Sequence, residues 1–431
     1  MDFKNYLVPG KTGLLIGIGG VSMSPLAEVL HDAGLDIRGS DMAESSNTLT
    51  LRERGIPIHI GHSADNVTDD ISFVIRTAAV HDDNPEVHEA HRRGIPVFER
   101  TQAWGALMRG YQNALCISGT HGKTTTTSMC THIMMAAEKD PTVMIGGTLP
   151  LLKACHRVGK GNTIIMESCE YYNSFLALNP TIAVVLNIEA DHLDFFKDLE
   201  DIKHSFRCFA ERVPAETGTV IANYDDANTM DALRGIARKV ITFGLNAKAD
   251  VYAQNIVHRG SVSEFDIYHR GNYFAHVTLH VPGIHNVRNA LAATAAAIVL
   301  GVSPNAVKYG LAGFEGAGRR FDYKGKFQGA DLYDDYAHHP SELRALLDAV
   351  DTLNYQRSIV VFQPHTYSRT AKLFNDFVEQ LRRPTIVYLA EIYAAREKNT
   401  IGISSADLAA QIPGAKFYPT FAEIERELRR I

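Results

Sequence analysis

The stretch Gly119-Thr-His-Gly-Lys-Thr124 follows an apolar run ending at Ser118 and leads into three more threonines and a second apolar run. Glycines let backbone N–H groups turn toward a phosphate, and the start of a following helix favours negative charge. Lys123 can then reach the β- and γ-phosphates of a nucleoside triphosphate, and the Thr124 hydroxyl can ligate Mg²⁺. The strict P-loop spacing would place its first glycine at Ile117, so this loop is a shortened form. A strand in front and a helix behind argue against an ordinary glycine turn with an exposed lysine.

Other candidate groups also sit just after apolar runs. "MESCEYYNSF" supplies Glu167 and Glu170, and "NIEADHLD" supplies Asp191, His192 and Asp194. In parallel sheets, ligands gather at the carboxyl ends of strands, and carboxylate with imidazole can hold a divalent ion beside phosphates. "DDYAHHP" and "FQPHTYSRT" add Asp335, His338, His365 and Arg369, groups suited to ribose, phosphate or a carboxylate. Arg319 and Arg320 could reach across to the phosphates. Near the amino terminus, "GIGGVSMS" has glycines at 17, 19 and 20, but Ser22 stands where a dinucleotide fingerprint needs glycine. Asp41 lies about twenty residues on, where a carboxylate can bind a ribose hydroxyl. A nucleotide is expected here, and it need not be NAD.

The elements that must carry these groups alternate. "TGLLIGIGG", "LDIRGSD", "ISFVIRTAAV" and "IPVFER" read as strands, with "SPLAEVLHDAG" as a helix between the first two. A second block opens at "NALCISGTHGKTTTT" and includes the strands "NTIIMES" and "PTIAVVLNI", a polar β-rich section from about Ala249 to Pro282, and the apolar helix His285–Gly301. "FEGAGRR" reads as the linker to a third block with strands in "SIVVFQP", "PTIVYLAEI" and "AKFYPTF". Strands alternating with helices predict parallel sheets, here three α/β domains in series.

Composition narrows the class. A chain of 431 residues exceeds one ordinary core. It is 45% hydrophobic and 21% charged, as in soluble globular enzymes. A net charge of −6 without a dense basic block argues against a nucleic-acid partner. No apolar stretch is long enough for a membrane span, and "MDFKNYLVPGKTG" lacks the apolar core of a signal peptide, so a cytoplasmic location is expected. The cysteines, Cys116, Cys130, Cys155, Cys169 and Cys208, are odd in number and lack Cys-x-x-Cys spacing, which fits reduced thiols.

The P-loop run, "NIEADHLD", "GIHNVRNALAA", "GRRFD" and "DDYAHHP", in this order, resemble the Mur ligases of peptidoglycan synthesis. The resemblance runs from about Leu14 to the end. "GIGGVSMSPLAEVL…GSD" and "FQPHTYSRT…IYAAREKNTIGIS" are most similar to the branch that joins L-alanine to UDP-N-acetylmuramate. It implies a Rossmann-like UDP-sugar-binding domain (1–104), a central P-loop ATPase-like domain (105–315) and a Rossmann-like C-terminal domain for the amino acid and the ATP ribose (316–431). It also implies ATP and Mg²⁺ as cofactors, UDP-N-acetylmuramate and L-alanine as substrates, and a monomer or weak homodimer. Carried over by position, ATP would contact Gly119, Thr120, His121, Gly122, Lys123, Thr124 and Thr125, with His285, Asn286 and Asn289 beside adenine and Asp335 at the ribose. Mg²⁺ would be held by Thr124, Glu170 and His192. Gly17, Gly19, Gly20, Ser22 and Met23, with Ser40, Asp41, His62 and the "TAAVHDDNPE" stretch, would hold the UDP-sugar. Lys123, His192, His338, Arg320 and Arg369 form the implied catalytic set.

The implied chemistry suits these groups. Phosphorylation removes a carboxylate's charge and supplies a leaving group, and magnesium, Lys123 and arginines offset charge on the transferring phosphoryl group. The amine must then lose a proton, to His192 or His338. The chain departs from many relatives at Cys169 and Tyr172, which replace carboxylates, and at Thr366, which replaces arginine. Arg207 stands at the offset where sister ligases carry a modified lysine, which agrees with the alanine-adding branch. The chain stops at "LRRI", where relatives continue with a strand and helix, so the third domain is expected to be shortened, with an exposed sheet edge. The rivals are a ligase attaching a preformed murein tripeptide to the same UDP-sugar, a folylpolyglutamate synthase-like ligase, an NAD-dependent oxidoreductase and a non-catalytic nucleotide sensor.

Overall fold

The computed structural model describes residues 2–430 except Ala78 and Arg396. Those two positions, in the "TAAVHDDNPE" and "IYAAREKNTIGIS" stretches, lie outside the described residues. No helix among the described residues is long and apolar enough to cross a membrane.

The first sheet is parallel throughout. It comprises β1 (Thr12–Ile16), β2 (Asp36–Asp41), β3 (Ile58–Ile60), β4 (Ile71–Arg76) and β5 (Val97–Glu99), in the order β3-β2-β1-β4-β5. Every residue of β1 is buried, which is why its sequence shows no polar alternation. Strand order reverses at β1, between β2 and β4. The Gly17–Ser24 loop leaves its carboxyl end, where such sheets bind ligands.

The second sheet has ten strands. These are β6 (Asn113–Ser118), β7 (Thr142–Leu149), β8 (Ala154–Arg157), β9 (Thr163–Glu167), β10 (Ile182–Val185), β11 (Thr219–Asn223), β12 (Lys239–Gly244), β13 (Val251–Arg259), β14 (Val262–His269) and β15 (Asn272–Leu279). The order is β15-β14-β13-β12-β11-β10-β6-β9-β7-β8. β6 lies between β9 and β10 and runs parallel to both. The P-loop and the two acidic loops therefore emerge at one edge. The polar section from Ala249 to Pro282 is the meander β13–β15, antiparallel within itself. The apolar helix spans Ile284–Val299.

Beyond it come a hairpin, β16 (Asp322–Phe327) with β17 (Ala330–Asp334), and a parallel sheet of β18 (Ile359–Phe362), β19 (Ile386–Leu389) and β20 (Lys416–Phe417). The three sequence-predicted strands of this block fall on β18–β20. The sequence reading did not name β3, β7, β8, β11, β12 or the hairpin. β3 has only three residues, and β16 reads Asp-Tyr-Lys-Gly-Lys-Phe with no fully buried position. Nothing in β3 or the hairpin strands separates them from polar loops, whereas the missed β11 is a short, fully buried run.

One close approach fixes the P-loop helix, Lys123–Ala136. Gly310, in the helix Pro304–Ala312, packs so tightly that a Cβ there would lie 2.5 Å from Ile133 Cα. Gly310→Ala is expected to cost about 1–3 kcal/mol through overpacking. The check is a melting curve of the variant; one that overlays the parent protein's would contradict this helix contact.

Candidate functional site

Gly119 and Gly122 take φ values of +146° and +84°, which side chains disfavour, and both are crowded. A Cβ on Gly122 would lie 2.6 Å from Asn289 Oδ1, and one on Gly119 2.8 Å from Leu186 Cβ. The loop is pinned by Asn187, whose Oδ1 accepts from His121 N at 2.8 Å and whose Nδ2 donates to His121 O at 3.1 Å. The threonine run has a structural use. The hydroxyls of Thr127, Ser128 and Thr131 each donate to a carbonyl one turn back at 2.8 Å, so this buried helix face leaves those hydroxyls satisfied.

Lys123 bends back over its own loop. Its Nζ donates to Thr120 O at 3.2 Å and to Glu170 Oε2 at 2.9 Å. Burial works against the ammonium charge, but the Glu170 carboxylate outweighs it and raises the pKa above the ordinary lysine value. Thr124 Oγ1 donates to Glu167 Oε1 at 3.1 Å, and Gly146 N donates to the other oxygen at 2.7 Å. Of the expected cation trio, Glu170 and His192 stand together, with Glu170 Oε1 3.9 Å from His192 Nε2. Thr124 meets Glu167, on the end of β9. Burial holds the His192 pKa below the ordinary value, which keeps the imidazole neutral, the form that ligates metals. Carboxylates, a hydroxyl and a neutral imidazole together fit a hard divalent cation, and the Lys123 ammonium already satisfies Glu170 as a cation would.

The third block docks on this edge through the Arg369–Asp191 pair and the contacts of His121 with Ser341 and Glu342. Arg369 donates from Nη2 and Nε to Asp191 Oδ1, at 2.8 and 3.1 Å, and lies 2.9 Å from His365 Nδ1 through Nη1. His121 sits between two carboxylates, with Nδ1 3.1 Å from Glu342 Oε1 and Nε2 3.2 Å from Glu189 Oε2. Burial alone would lower its pKa, but the two hydrogen bonds raise it to about 9. Burial alone would raise the carboxylates; His121 instead holds Glu189 at about 2 and Glu342 well below its ordinary value. His121, Glu189 and His339 also bring donor atoms within 4.8 Å of one another. A protonated His121 makes that group an ion pair, not a metal site. His338 Nδ1 lies 2.9 Å from Tyr336 O, and its ring is 5.8 Å from that of His365.

A cavity of about 450 Å³ opens between these elements. His121, Gly122, Thr124 and Thr125 line one end, and His285, Asn286 and Asn289 line a side. Arg320 and Asp335 reach it from the third block. Burial pushes His285 down to about 4, leaving a neutral ring on the wall. Asp335 accepts from Phe321 N and Ala337 N, both at 2.7 Å, while burial raises its pKa. Arg320 stacks on Tyr336 at 5.1 Å.

In the first domain, Asp41 Oδ2 accepts from Gly19 N at 2.8 Å, tying the glycine loop to the end of β2. Ser40 Oγ and His62 Nδ1 meet at the fully buried Glu86, at 2.8 and 2.7 Å from its Oε2. Gly17 has φ +77°, and Gly20 N closes a turn onto Gly17 O at 3.1 Å. Ser22 bonds Arg100 through Oγ, and Met23 is buried beneath the loop. Arg207 is tied to Glu211 and to the carbonyls of Ala232 and Arg234. All five cysteines are free. Sequence inspection took Glu86 only as the end of the "TAAVHDDNPE" stretch and missed Asn187, Glu189, Ser341 and Glu342. The last pair held a visible signal, since Pro340-Ser-Glu opens a helix directly after "DDYAHH".

Family models match three consecutive blocks: the Mur ligase family, catalytic domain, over residues 15–112; the Mur ligase middle domain over 117–297; and the Mur ligase, glutamate ligase domain, over 319–430. A UDP-N-acetylmuramate–L-alanine ligase of Agathobacter rectalis is 46% identical over 418 residues, covering 96% of this chain and 91% of the relative. The crystal structure of a UDP-N-acetylmuramate–alanine ligase from Thermotoga maritima matches with a TM-score of 0.78 at 29% identity, over 96% of this chain and 92% of that one. A UDP-N-acetylmuramate:L-alanyl-γ-D-glutamyl-meso-diaminopimelate ligase from Neisseria meningitides matches with a TM-score of 0.64 at 26% identity, over 71% and 99%.

The His121 bridge gives docking a pH dependence. Undocked, the ring keeps Glu189, which belongs to its own domain, and loses Glu342 and Ser341, so its pKa falls from about 9 toward the ordinary value. This bridge therefore contributes fully below the undocked pKa, and its contribution is lost as pH rises from there through about 9. Fluorophores placed across the two domains should report a docked fraction that falls over that interval, and His121→Gln should abolish the transition. A wild-type profile flat to pH 10 would place docking on other contacts.

Proposed function

The chain belongs to the Mur ligase family, and from that footing we propose that it joins L-alanine to the carboxylate of UDP-N-acetylmuramate, converting ATP to ADP and phosphate in peptidoglycan synthesis. One observation carries this: Lys123, Glu170, His192 and the Asp191–Arg369 pair converge where β6, β9 and β10 end, beside the cavity lined by the P-loop. The 46% identity to an alanine-adding relative supports the choice of amino acid.

Each residue then has a task. The 119–125 backbone cradles the ATP phosphates, and Lys123 turns from Glu170 to the transferring phosphoryl group, with Arg320 adding positive charge from the third domain. Thr124, Glu170 and His192 would hold Mg²⁺, which neutralises phosphate charge when bound. The sugar's carboxylate oxygen bonds to the γ-phosphorus as the bond to ADP breaks. Alanine's amine then attacks the acyl carbon, and phosphate leaves. His338 is the base for the amine proton. A carbonyl can only accept, so Nδ1 must donate to Tyr336 O, which leaves the Nε2 lone pair free. Arg369 and His365 stand where alanine's carboxylate would bind. The UDP-sugar lies on the Gly17–Ser24 loop with Asp41. His285, Asn286 and Asn289 flank adenine, and Asp335 takes the ribose. We divide the domains near residues 104 and 315 and place the reaction in the cytoplasm, on a monomer or weak homodimer.

Phosphate release from ATP should require UDP-N-acetylmuramate together with alanine. Release that follows the murein tripeptide instead would replace this function with the tripeptide ligase. Lys123→Ala should lower kcat by roughly 10²-fold or more; a folded variant with near-normal kcat would remove Lys123 from the phosphoryl step. Asp41→Ala should raise the KM for UDP-N-acetylmuramate roughly tenfold and leave that for ATP unchanged. An equal rise in both would detach Asp41 from the sugar site.

A further inference from the structure

An imidazole that binds a metal is ordinarily oriented through its other nitrogen, which donates to a carboxylate, carbonyl or water. His192 has no such anchor among the described residues. Its Nε2 stands 3.9 Å from Glu170 Oε1 and 3.8 Å from Asp191 Oδ2, beyond hydrogen-bond reach, and only its backbone N–H bonds to Asp191, at 2.8 Å. What meets the ring is Tyr171, stacked on its face at 4.3 Å between centroids and 24° between planes.

Tyr171 is itself held at its hydroxyl and by neighbouring rings, while remaining partly exposed. Its hydroxyl donates to Asp194 Oδ2 at 2.5 Å. Tyr172 lies 4.3 Å from it, and Phe195 packs at 4.8 Å on Tyr172 and rests on Phe196, which is buried. The two loops that meet here are both strained, with φ +51° at His192 and +53° at Tyr172. Such conformations persist only where the surroundings fix them.

We propose that Tyr171 is a positioning residue for His192, whose ring face, not its hydroxyl, holds the imidazole with Nε2 toward Glu170 and so preorganises the pair for a divalent cation. This rests on Glu170 and His192 being the cation ligands.

The test uses the full chain, with Mn²⁺ and ADP as probe and electron paramagnetic resonance as readout. Bound Mn²⁺ in the wild type should show spin-echo modulation from one imidazole nitrogen, absent in His192→Ala. Tyr171→Phe, which keeps the stack, should retain the modulation and bind Mn²⁺ within about twofold of wild type. Tyr171→Leu should bind roughly tenfold or more weakly, with UDP-N-acetylmuramate affinity unchanged. Wild-type affinity and modulation in Tyr171→Leu, or an equal loss in Tyr171→Phe, would overturn the proposal while leaving His192 as a ligand. No modulation in the wild type would overturn both. A measurement free of the folding of Tyr171→Leu is the His192 ring-proton shift in histidine-labelled wild type, assigned with His192→Ala. The stacked ring should displace it upfield, and Tyr171→Phe should preserve the displacement; an unshifted resonance in the wild type would overturn the stack.

Discussion

A buried ammonium organises this molecule. Lys123 is largely withdrawn from solvent, and Glu170, almost wholly buried, supplies its counter-charge. Removing one partner of such a pair leaves an uncompensated charge worth about 3–5 kcal/mol. The requirement explains much of the surrounding architecture. Glu170 must arrive within 3 Å of the P-loop, which only a parallel strand beside β6 can deliver. β9 is that strand, and β10 on the other flank delivers Asp191 and His192. On the proposed function, a phosphate in the loop would offer Lys123 a second anion and free Glu170 for a cation, so that nucleotide binding and assembly of the metal site would be one rearrangement.

The third domain is coupled to the same loop. His121 lies between the two P-loop glycines, yet its ring pairs with Glu189 behind it and Glu342 in front. Other contacts of the same interface lie beside it. Arg369 reaches Asp191, the neighbour of His192, and Ser341 meets His121 at 2.9 Å. On the proposed function, docking and phosphate binding would draw on the same few residues, and a ligand that favours the docked form gains affinity in proportion to that preference. Arg320 and Asp335 reach the cavity only from the docked side.

Much of this was legible because it is local. A glycine loop between a strand and a helix declares its chemistry within ten residues, and Glu170 and His192 stood out by following buried runs. The first sheet is parallel, as alternating strands and helices predict, but its order and the reversal at β1 were not readable from the chain. Partners set by distant pairing stayed hidden. Thr124 bonds Glu167 rather than Glu170, because register along β6 and β9 decides which carboxylate is adjacent, and no spacing rule encodes that register. Glu86, which only closed the "TAAVHDDNPE" stretch, is fully buried and bonded by Ser40 and His62. Tyr171 drew no reading at all, and its ring neighbour across the loop, His192, is twenty-one positions on.

The path of one oxygen atom tests the ligation most directly. UDP-N-acetylmuramate carrying ¹⁸O at both carboxylate positions would be turned over with ATP, Mg²⁺ and alanine, and the released phosphate analysed by mass. If the carboxylate attacks the γ-phosphorus before the amine arrives, each phosphate carries one ¹⁸O and the new amide keeps the other. Phosphate free of label, with the ligated product still formed, would mean that the carboxylate is never phosphorylated, and the roles given to Lys123, Glu170 and the P-loop would fail together.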